Sequence, residues 1–314
     1  MSSDSYLKVE ELPLITVFTL IFNTGKYVIE ALESLNRTEY PREKIQNIII
    51  DDFSTDNSLQ LVENWIGANN YNCELIKHKE NWGVCKTLNQ VIELSKGEYI
   101  TGLSDDIILP KSFKKLVFEF SKLEKDFAVV FGDAELIDEH SNLLFGKFIQ
   151  RYKPKLTNVP EGNIFDNLLE GNFIPMMASL IKVNAIRDVG GFDENLKYED
   201  YDLWLRISRK YQFRFINSVV AQYRIRKDGL SENIDWAYDN FTILLKHVDS
   251  ASPILINKVR SLVASSYRRG KPYSENMLYE YRKCFDDLKL MSFFNRLGIG
   301  YGFYKIVSKL FGTT

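Results

Sequence analysis

The sequence predicts an α/β protein in which helices cover both faces of a mostly parallel sheet. Residues 14–22 form an apolar or β-branched stretch with the length of a strand buried on both faces. The next stretch places Val28, Ala31, Leu32 and Leu35 at the spacing of an amphipathic helix. Strand and helix patterns then alternate with short connections. This order favours right-handed crossovers between parallel strands.

The alternation can be followed element by element. Ser54, Thr55 and Asp56 supply N-cap chemistry for the second helix. Residues 138–160 have loop character, and the pattern beyond residue 231 is helical. The predicted strands are 14–22, 45–50, 73–77, 98–101, 127–131 and 179–183, and the predicted helices are 28–35, 59–66, 84–92, 113–123 and 164–169.

Composition excludes several classes of protein. The 314 residues are 45% hydrophobic and 26% charged, which is typical of a folded globular chain. The net charge of -2 provides no basic field for nucleic acid, so no nucleic-acid partner is expected. Neither a Gly-Lys-Ser/Thr phosphate loop nor a Gly-x-Gly-x-x-Gly turn follows the first strand. A P-loop enzyme and a nicotinamide dehydrogenase are therefore not expected.

Cysteine and histidine usage favours a reducing compartment without a zinc site. The odd set Cys73, Cys85 and Cys284 shows neither disulfide nor metal spacing, and the three histidines are isolated. The first residues do not resemble a secretory signal, and no apolar stretch is long enough to span a membrane. We therefore expect a cytoplasmic protein.

Two acidic pairs follow predicted strands. Asp51 and Asp52 close one strand, and Asp105 and Asp106 follow another. Ligands of parallel sheets bind at the carboxyl ends of strands, where a carboxylate can accept hydrogen bonds from a base or a ribose. Adjacent carboxylates also suit Mg²⁺ or Mn²⁺. The alternatives are a helix cap, which we expect of Asp56, and a solvated acidic turn at 104–106.

A third acidic segment follows Gly190 and Gly191. Asp200 is expected where a helix begins, and a helix N-terminus stabilises a carboxylate. Asp202 and Arg206 are spaced four residues apart, so a structural ion pair is sufficient to explain them.

Taken together, these segments resemble the family 2 glycosyltransferases of the GT-A fold over about residues 13 to 231. The matching segments are 48–56, 81–83 with Asn89, 97–100, 104–106, 190–193 and 199–206. The resemblance implies a Rossmann-like GT-A domain at 1–231, with a nucleotide-sugar part at about 13–110 and an acceptor part at about 111–231. A helical extension would occupy 232–314.

The resemblance also implies a donor site on the first half of the sheet. Phe22 would stack on the base, next to Asn23. One or both of Asp51 and Asp52 would bind the base or the ribose. Lys86, in the helix after the 81–83 turn, would lie near the nucleotide.

A second group of implied residues performs the transfer. Asp105 would reach the ribose, and Asp106 would hold Mn²⁺ or Mg²⁺ and the diphosphate. Asp200 would be the catalytic base, with Glu199 orienting the acceptor or the loop. Arg226 stands where the family often has a metal-binding histidine. An arginine cannot ligate a metal, but it can neutralise a diphosphate.

Other positions also depart from the family pattern. Phe22 lacks the hydroxyl of the tyrosine that is common there, Ser104 replaces the usual first acid, and Leu88 stands where an arginine is common. Lys86 is then left to supply positive charge.

The expected function is an inverting, metal-dependent transfer from a nucleotide-sugar, most often a UDP-sugar, to a glycan or lipid-linked glycan in surface polysaccharide assembly. The alternative is a catalytically silent protein that binds sugar nucleotides or glycans. A nucleotidyltransferase is disfavoured because residues 23–26 are too short for its glycine-rich basic loop. The basic, aromatic segment 291–314 is equally compatible with peripheral membrane contact at the inner face of the cell membrane and with a core or homodimer helix.

Overall fold

A nine-stranded sheet is the centre of the first of two units, residues 1–232 and 233–314. The computed structural model describes residues 8–197, 199–227, 236–248 and 253–284. The strand order is β3-β2-β1-β4-β8-β6-β9-β5, with β7 paired to β6. The strands are β1 (Ile15–Ile21), β2 (Ile45–Asp51), β3 (Glu74–Lys77), β4 (Tyr99–Leu103), β5 (Ile107–Ile108), β6 (Phe127–Ile137), β7 (Leu143–Lys147), β8 (Ser179–Lys182) and β9 (Gln212–Arg224).

Helices connect these strands in the predicted alternation. Parallel pairing joins β3, β2, β1 and β4, and also β6 and β9, whereas the antiparallel ladders are short. The predicted α/β class with a mostly parallel sheet is therefore confirmed. The helices of this unit are α1 (Tyr27–Asn36), α2 (Ser58–Asn69), α3 (Val84–Leu94), α4 (Ser112–Phe120), α5 (Phe148–Tyr152), α6 (Phe165–Leu169), α7 (Val183–Asp188) and α8 (Glu199–Ser208).

The core explains why the first half of the sheet could be recognised from sequence. β4 is buried throughout, and the carboxyl-terminal half of β2 is buried as well. On one face, Ile21, Val28, Leu32, Ile49 and Val62 form a buried cluster between the sheet and the helices α1 and α2. Burial on both faces produces continuous apolar strands, and one-sided burial produces the helical spacing.

The second half of the sheet corrects three expectations. β6 continues to Ile137, well beyond the predicted end at residue 131. The segment 138–160 is not only loop, because it contains β7 and α5. β9 was not predicted, since its burial alternates irregularly and leaves no clean period.

β9 is longer than the part of β6 that it accompanies. Between the end pairs Phe127–Gln212 and Ile137–Arg224, β6 advances ten residues and β9 advances twelve, with irregular register in between. Gly132 accommodates this irregular segment, because a Cβ there would lie 2.6 Å from the carbonyl oxygen of Ser218. The two additional residues of β9 determine which of its residues pairs with Ile137 at the end of β6.

The second unit is helical in the part that the structure describes. Its helices are α9 (Ala237–Leu245), α10 (Pro253–Arg268) and α11 (Ser274–Cys284). Across the described ranges, no helix has the length and apolar character needed to cross a bilayer. The segment 291–314 lies outside the described residues, so its membrane or dimer role stays a prediction.

Candidate active site

The carboxyl ends of β1, β2 and β4 lie next to one another at one edge of the sheet. Ile21 is in register with Asp51, and Thr19 is in register with Leu103. Two aromatic side chains follow these strands: Phe22 is 50% exposed and Phe53 is 46% exposed. Phe22 is thus available to stack on a base, as its predicted role requires. Phe53 was not predicted, and its backbone has a φ of 68°.

Asp51 ends β2 with a buried carboxylate. Its Oδ2 accepts a hydrogen bond from the backbone N–H of Ser54 at 3.1 Å. Its Oδ1 is buried and has no hydrogen-bond partner among the residues that the structure describes. A buried carboxylate oxygen without a donor is costly, so this atom is suited to a ligand that brings an N–H or O–H group.

The neighbouring Asp52 is occupied by the protein itself. Its Oδ1 lies 2.7 Å from Nδ1 of His78 and accepts the backbone N–H of Trp82 at 2.9 Å. Its Oδ2 accepts the backbone N–H of Gly83, also at 2.9 Å. Asp52 therefore holds the 81–83 turn in place. Of the two adjacent carboxylates, Asp51 is the one with an oxygen left for a donor.

Lys86 is arranged by the same turn. The indole of Trp82 stacks on the ring of His78, with their centroids 4.0 Å apart. The Nζ of Lys86 lies 4.2 Å from the centroid of the Trp82 ring. A cation–π contact of this kind orients the exposed ammonium at the start of α3. The stack was not predicted, because it depends on residues that only the fold brings together.

Asn23 follows β1, and its amide oxygen is already hydrogen-bonded to the backbone before α2. Its Oδ1 accepts the backbone N–H groups of Thr55 at 2.8 Å and Asp56 at 3.2 Å. Asp56 in turn accepts the backbone N–H of Ser58, the first residue of α2, at 2.9 Å, although the N-cap residue is Asn57 and not Asp56 as expected. These bonds tie the end of β1 to the start of α2.

The acidic turn after β4 meets two arginines from the end of β9. Asp106 is buried, and its Oδ1 accepts the backbone N–H of Arg224 at 2.9 Å. Burial, followed by the charge of Asp105, raises the pKa of Asp106 well above its ordinary value. The Oδ2 of Asp105 lies 3.1 Å from Nη1 of Arg226. The structure thus brings together Asp105, Asp106 and Arg226, which the sequence analysis assigned to one site.

Arg224 organises this turn, although it was not predicted from the sequence. Its buried guanidinium donates to the carbonyl oxygens of Asp105 at 2.8 Å and Asp138 at 3.1 Å. It also donates to Oγ of Ser141 at 2.9 Å and to Oε2 of Glu30 at 2.7 Å. Four acceptors from three segments converge on one side chain. No local sequence pattern predicts such a residue, because its acceptors lie far away in the sequence.

Tyr27, in the first turn of α1, is a second residue that was missed. The guanidinium carbon atoms of Arg224 and Arg226 lie 4.8 Å and 4.9 Å from the centroid of its ring. The aromatic ring therefore helps to hold both cations beside the acidic turn.

The acidic turn fits a divalent cation that is completed by a ligand. In the described part of the chain, no group of three or more metal-binding side chains lies together. Mg²⁺ is commonly held by one or two carboxylates plus substrate phosphates, rather than by a complete protein cage. The hard oxygen atoms of Asp105 and Asp106 match that preference. The turn is thus compatible with the predicted Mn²⁺ or Mg²⁺ when phosphates supply the remaining ligands.

A third group of carboxylates lies at the start of α8. Glu199 and Asp200 are both partly buried. Burial raises the pKa of Asp200 to about 6, against hydrogen bonds from the backbone of Tyr201 and from Asn172. Burial and the adjacent Asp200 raise the pKa of Glu199. An aspartate with a pKa near neutrality is suited to proton transfer.

The other motif residues have structural roles. Asn89 exchanges hydrogen bonds with the backbone of Phe192 at 2.8 and 3.0 Å. Gly191 has a φ of 75°, and a Cβ there would lie 2.7 Å from Oδ1 of Asn89. Asp202 and Arg206 form the expected ion pair at 2.7 Å, with the aspartate fully buried.

Comparisons with solved structures agree with this architecture. Staphylococcus aureus TarS 1–349 in complex with UDP-GlcNAc aligns over 91% of this chain and 92% of its own, with a TM-score of 0.61 and 16% identity. The mannosyltransferase PcManGT from Pyrobaculum calidifontis, in complex with GDP-Man and Mn²⁺, aligns over 98% and 90%, with a TM-score of 0.57 and 16% identity. Both likenesses concern the fold, which supports the GT-A assignment.

Sequence comparisons show the family. An uncharacterized glycosyltransferase of Rickettsia typhi is 30% identical over 217 residues, which are 68% of this chain and 64% of the relative. The chain spans between 31% and 64% of the first curated relatives, all from Rickettsia. The family model described as Glycosyl transferase family 2 matches residues 16–178. The resemblance found in the sequence motifs is thereby confirmed, and the chain belongs to glycosyltransferase family 2.

Proposed function

We propose that the chain is an inverting, metal-dependent glycosyltransferase. It transfers a sugar from a nucleotide donor, taken to be UDP-linked, to a hydroxyl group of a glycan or lipid-linked glycan in surface polysaccharide assembly. The two structural relatives described above were solved with UDP-GlcNAc and with GDP-Man, which supports a nucleotide-sugar as the donor class.

The buried Oδ1 of Asp51 is the observation that carries this proposal. No donor reaches this oxygen from the described residues. Asp51 ends β2 beside the end of β1, and the exposed rings of Phe53 and Phe22 follow these two strands. The acidic turn follows β4, two strands away from β2 and so at a distance of about 10 Å. A base and ribose held at Asp51 would extend their diphosphate toward Asp105 and Asp106.

The transfer is a single displacement with one base. Asp200 accepts the proton of the acceptor hydroxyl, whose oxygen forms the new bond to the anomeric carbon of the sugar. The bond between that carbon and the diphosphate oxygen breaks on the opposite face, and the nucleoside diphosphate leaves. The configuration at the anomeric carbon is therefore inverted.

The leaving diphosphate needs positive charge. Mn²⁺ or Mg²⁺, held by Asp106, would supply part of that charge when bound. Arg226 and Lys86 supply the positive charge that comes from the protein itself. Arg226 is held between Asp105 and the ring of Tyr27, so its guanidinium is already oriented at the turn.

A donor panel tests the proposed activity. The protein is incubated with UDP-, GDP- and dTDP-sugars, Mn²⁺ and glycan or lipid-linked acceptors, and release of nucleoside diphosphate is measured. We expect release with one donor class, dependent on Mn²⁺ or Mg²⁺. Donor binding without any release across the panel would instead indicate the silent binding protein.

Asp51→Asn is expected to weaken donor binding. Asparagine keeps its single amide oxygen for the Ser54 N–H, so it presents an N–H₂ group where the ligand donates. Loss of a hydrogen bond to a charged group should raise the Kd for the nucleoside diphosphate by roughly 10- to 100-fold, measured by calorimetry. An unchanged Kd would exclude Asp51 from the donor site.

Asp106→Ala is expected to abolish the Mn²⁺-dependent gain in nucleoside diphosphate affinity. The reason is that a cation with few protein ligands depends on each of them. Calorimetric titrations with and without Mn²⁺ measure the gain directly. Asp56→Ala is the matched control, because removing the acceptor of the Ser58 N–H should cost about 1 kcal/mol of stability and leave the gain intact. Retention of the full gain in Asp106→Ala would refute the metal assignment.

A further inference from the structure

The side chain of Asn172 lies against the carboxylate assigned as the base. Its Nδ2 donates to Oδ2 of Asp200 at 3.1 Å. Its Oδ1 accepts the backbone N–H of Ile174 at 2.9 Å. Because only the amide oxygen can accept that N–H, the amide orientation is fixed and its N–H₂ group must face Asp200.

Independent contacts hold both sides of this pair. On the side of α8, the hydroxyl of Tyr201 donates to the carbonyl oxygen of Leu168 in α6 at 2.8 Å. On the other side, Lys153 donates to the carbonyl oxygen of Glu170, just before Gly171 turns the chain with a φ of 117°. The segment after Asn172 enters the core with Phe173 and Ile174, which are both buried. The distance between Asn172 and Asp200 is thus set by the fold.

The hydrogen bond between Asn172 and Asp200 is compatible with a carboxylate that accepts a proton. A carboxylate offers about four acceptor positions, so an N–H from Asn172 leaves positions for the acceptor hydroxyl. A neutral amide donor orients the carboxylate without adding a full charge that would neutralise it. A salt bridge of the kind that Asp202 makes with Arg206 would instead hold the pKa of the base low.

We propose that Asn172 is a positioning residue, whose amide N–H fixes the ionised carboxylate of Asp200 in the orientation that receives the acceptor proton. This inference rests on the proposed function, in which Asp200 is the base. Asn172 would act through Asp200 and not on the substrate itself.

Other titratable groups lie beside this carboxylate or beside its neighbours on α8. Glu199 precedes it on α8. Cys85 of α3 has a thiol whose pKa is raised by burial and by Glu199, and Glu170 acts on Tyr201. All of these are acids, so the hydrogen bond from Asn172 is a stabilising contribution that their charges do not supply.

The first experiment reads the Asp200 carboxyl directly and needs no donor. The full chain is labelled with ¹³C at its aspartate carboxyl carbons, and the Asp200 resonance is identified by its loss in Asp200→Asn. In Asn172→Ala, we expect the titration midpoint to move up by about one to two pH units from its wild-type position, because the ionised form loses a hydrogen bond. An unmoved midpoint would overturn the inference.

Two further variants separate positioning from folding. Asn172→Asp keeps the acceptor for the Ile174 N–H but replaces the donor with a like charge, so the loop is preserved and the acid limb of kcat should move to higher pH. Asn195→Ala removes an exposed amide that bonds to Asp193 at 2.9 Å, and it should leave both the midpoint and kcat unchanged. A shift in Asn195→Ala equal to that in Asn172→Ala would also overturn the inference.

Kinetics distinguish this inference from the proposed function. At a pH where Asp200 is ionised, Asn172→Ala should lower kcat roughly 10- to 100-fold through misorientation, with the donor KM unchanged. If Asp200→Asn abolishes turnover but Asn172→Ala leaves the acid limb in place, the positioning role alone is wrong. If Asp200→Asn retains turnover, the base assignment is wrong and the positioning role falls with it.

Discussion

Asp200→Asn is expected to lower kcat by about 10²- to 10⁴-fold, because the acceptor hydroxyl would lose the group proposed to take its proton. Asparagine has nearly the same shape and is uncharged. Donor binding should stay unchanged, and the unfolding free energy should change by less than about 1 kcal/mol, the size of a helix-terminus charge effect. Steady-state kinetics and thermal melts measure the two quantities on the same preparation.

An exposed aspartate in the first turn of a neighbouring helix is the matched control. Asp166→Asn makes the same chemical change at the start of α6, and it should leave kcat unaltered. If Asp200→Asn keeps a wild-type kcat, the base assignment is wrong. The structure then leaves Glu199 as the next candidate, because Asp202 is fully buried in its ion pair with Arg206.

Arg224→Met should destabilise the first unit by about 3 kcal/mol. The substitution fills similar volume but removes one partner of a buried ion pair and leaves the carbonyl oxygens of Asp105 and Asp138 without their donor. Glu30 keeps some solvent contact, which moderates the loss. The urea midpoint, compared at constant m-value, gives the change in the free energy of unfolding.

Arg224→Lys tests whether geometry or charge matters at this position. Lysine keeps the positive charge but cannot reach acceptors in several directions with one planar group. We expect it to recover less than half of the lost stability. Recovery of wild-type stability by lysine would mean that charge alone is required, and wild-type stability in Arg224→Met would refute the organising role of Arg224.

The sequence predicted the first half of the fold because its strands are buried on both faces. β1, β4 and the carboxyl-terminal half of β2 are almost continuously buried and rich in apolar or β-branched residues, and the helices between the strands carry a single apolar stripe. β7 and β9 escaped prediction for the opposite reason. β7 is largely exposed, and β9 mixes buried and partly exposed positions, so neither shows a period of two.

The position of the candidate site could be predicted from the sequence, but the different contacts of its individual residues could not. Strand ends in the chain order pointed to Asp51, Asp52 and Asp106. Local sequence cannot show that the carboxylate of Asp52 is hydrogen-bonded to His78, because that contact joins residues that are 26 positions apart. Asn172 and Asp200 are separated by 28 positions, so the same limit applies to the proposed positioning residue.

Because β9 has two more residues than the paired part of β6, deletions in its irregular segment would move Arg224 and Arg226 relative to the acidic turn. Side chains alternate along a strand, so removing one residue from the irregular segment would turn Arg224 away from Glu30 and place an apolar Ile225 there. Removing two residues would restore the alternation and bring Arg226 into the place of Arg224. The dyad repeat Arg224-Ile225-Arg226 therefore tolerates even deletions better than odd ones, and the count of residues in β9 constrains the site as strictly as their identity.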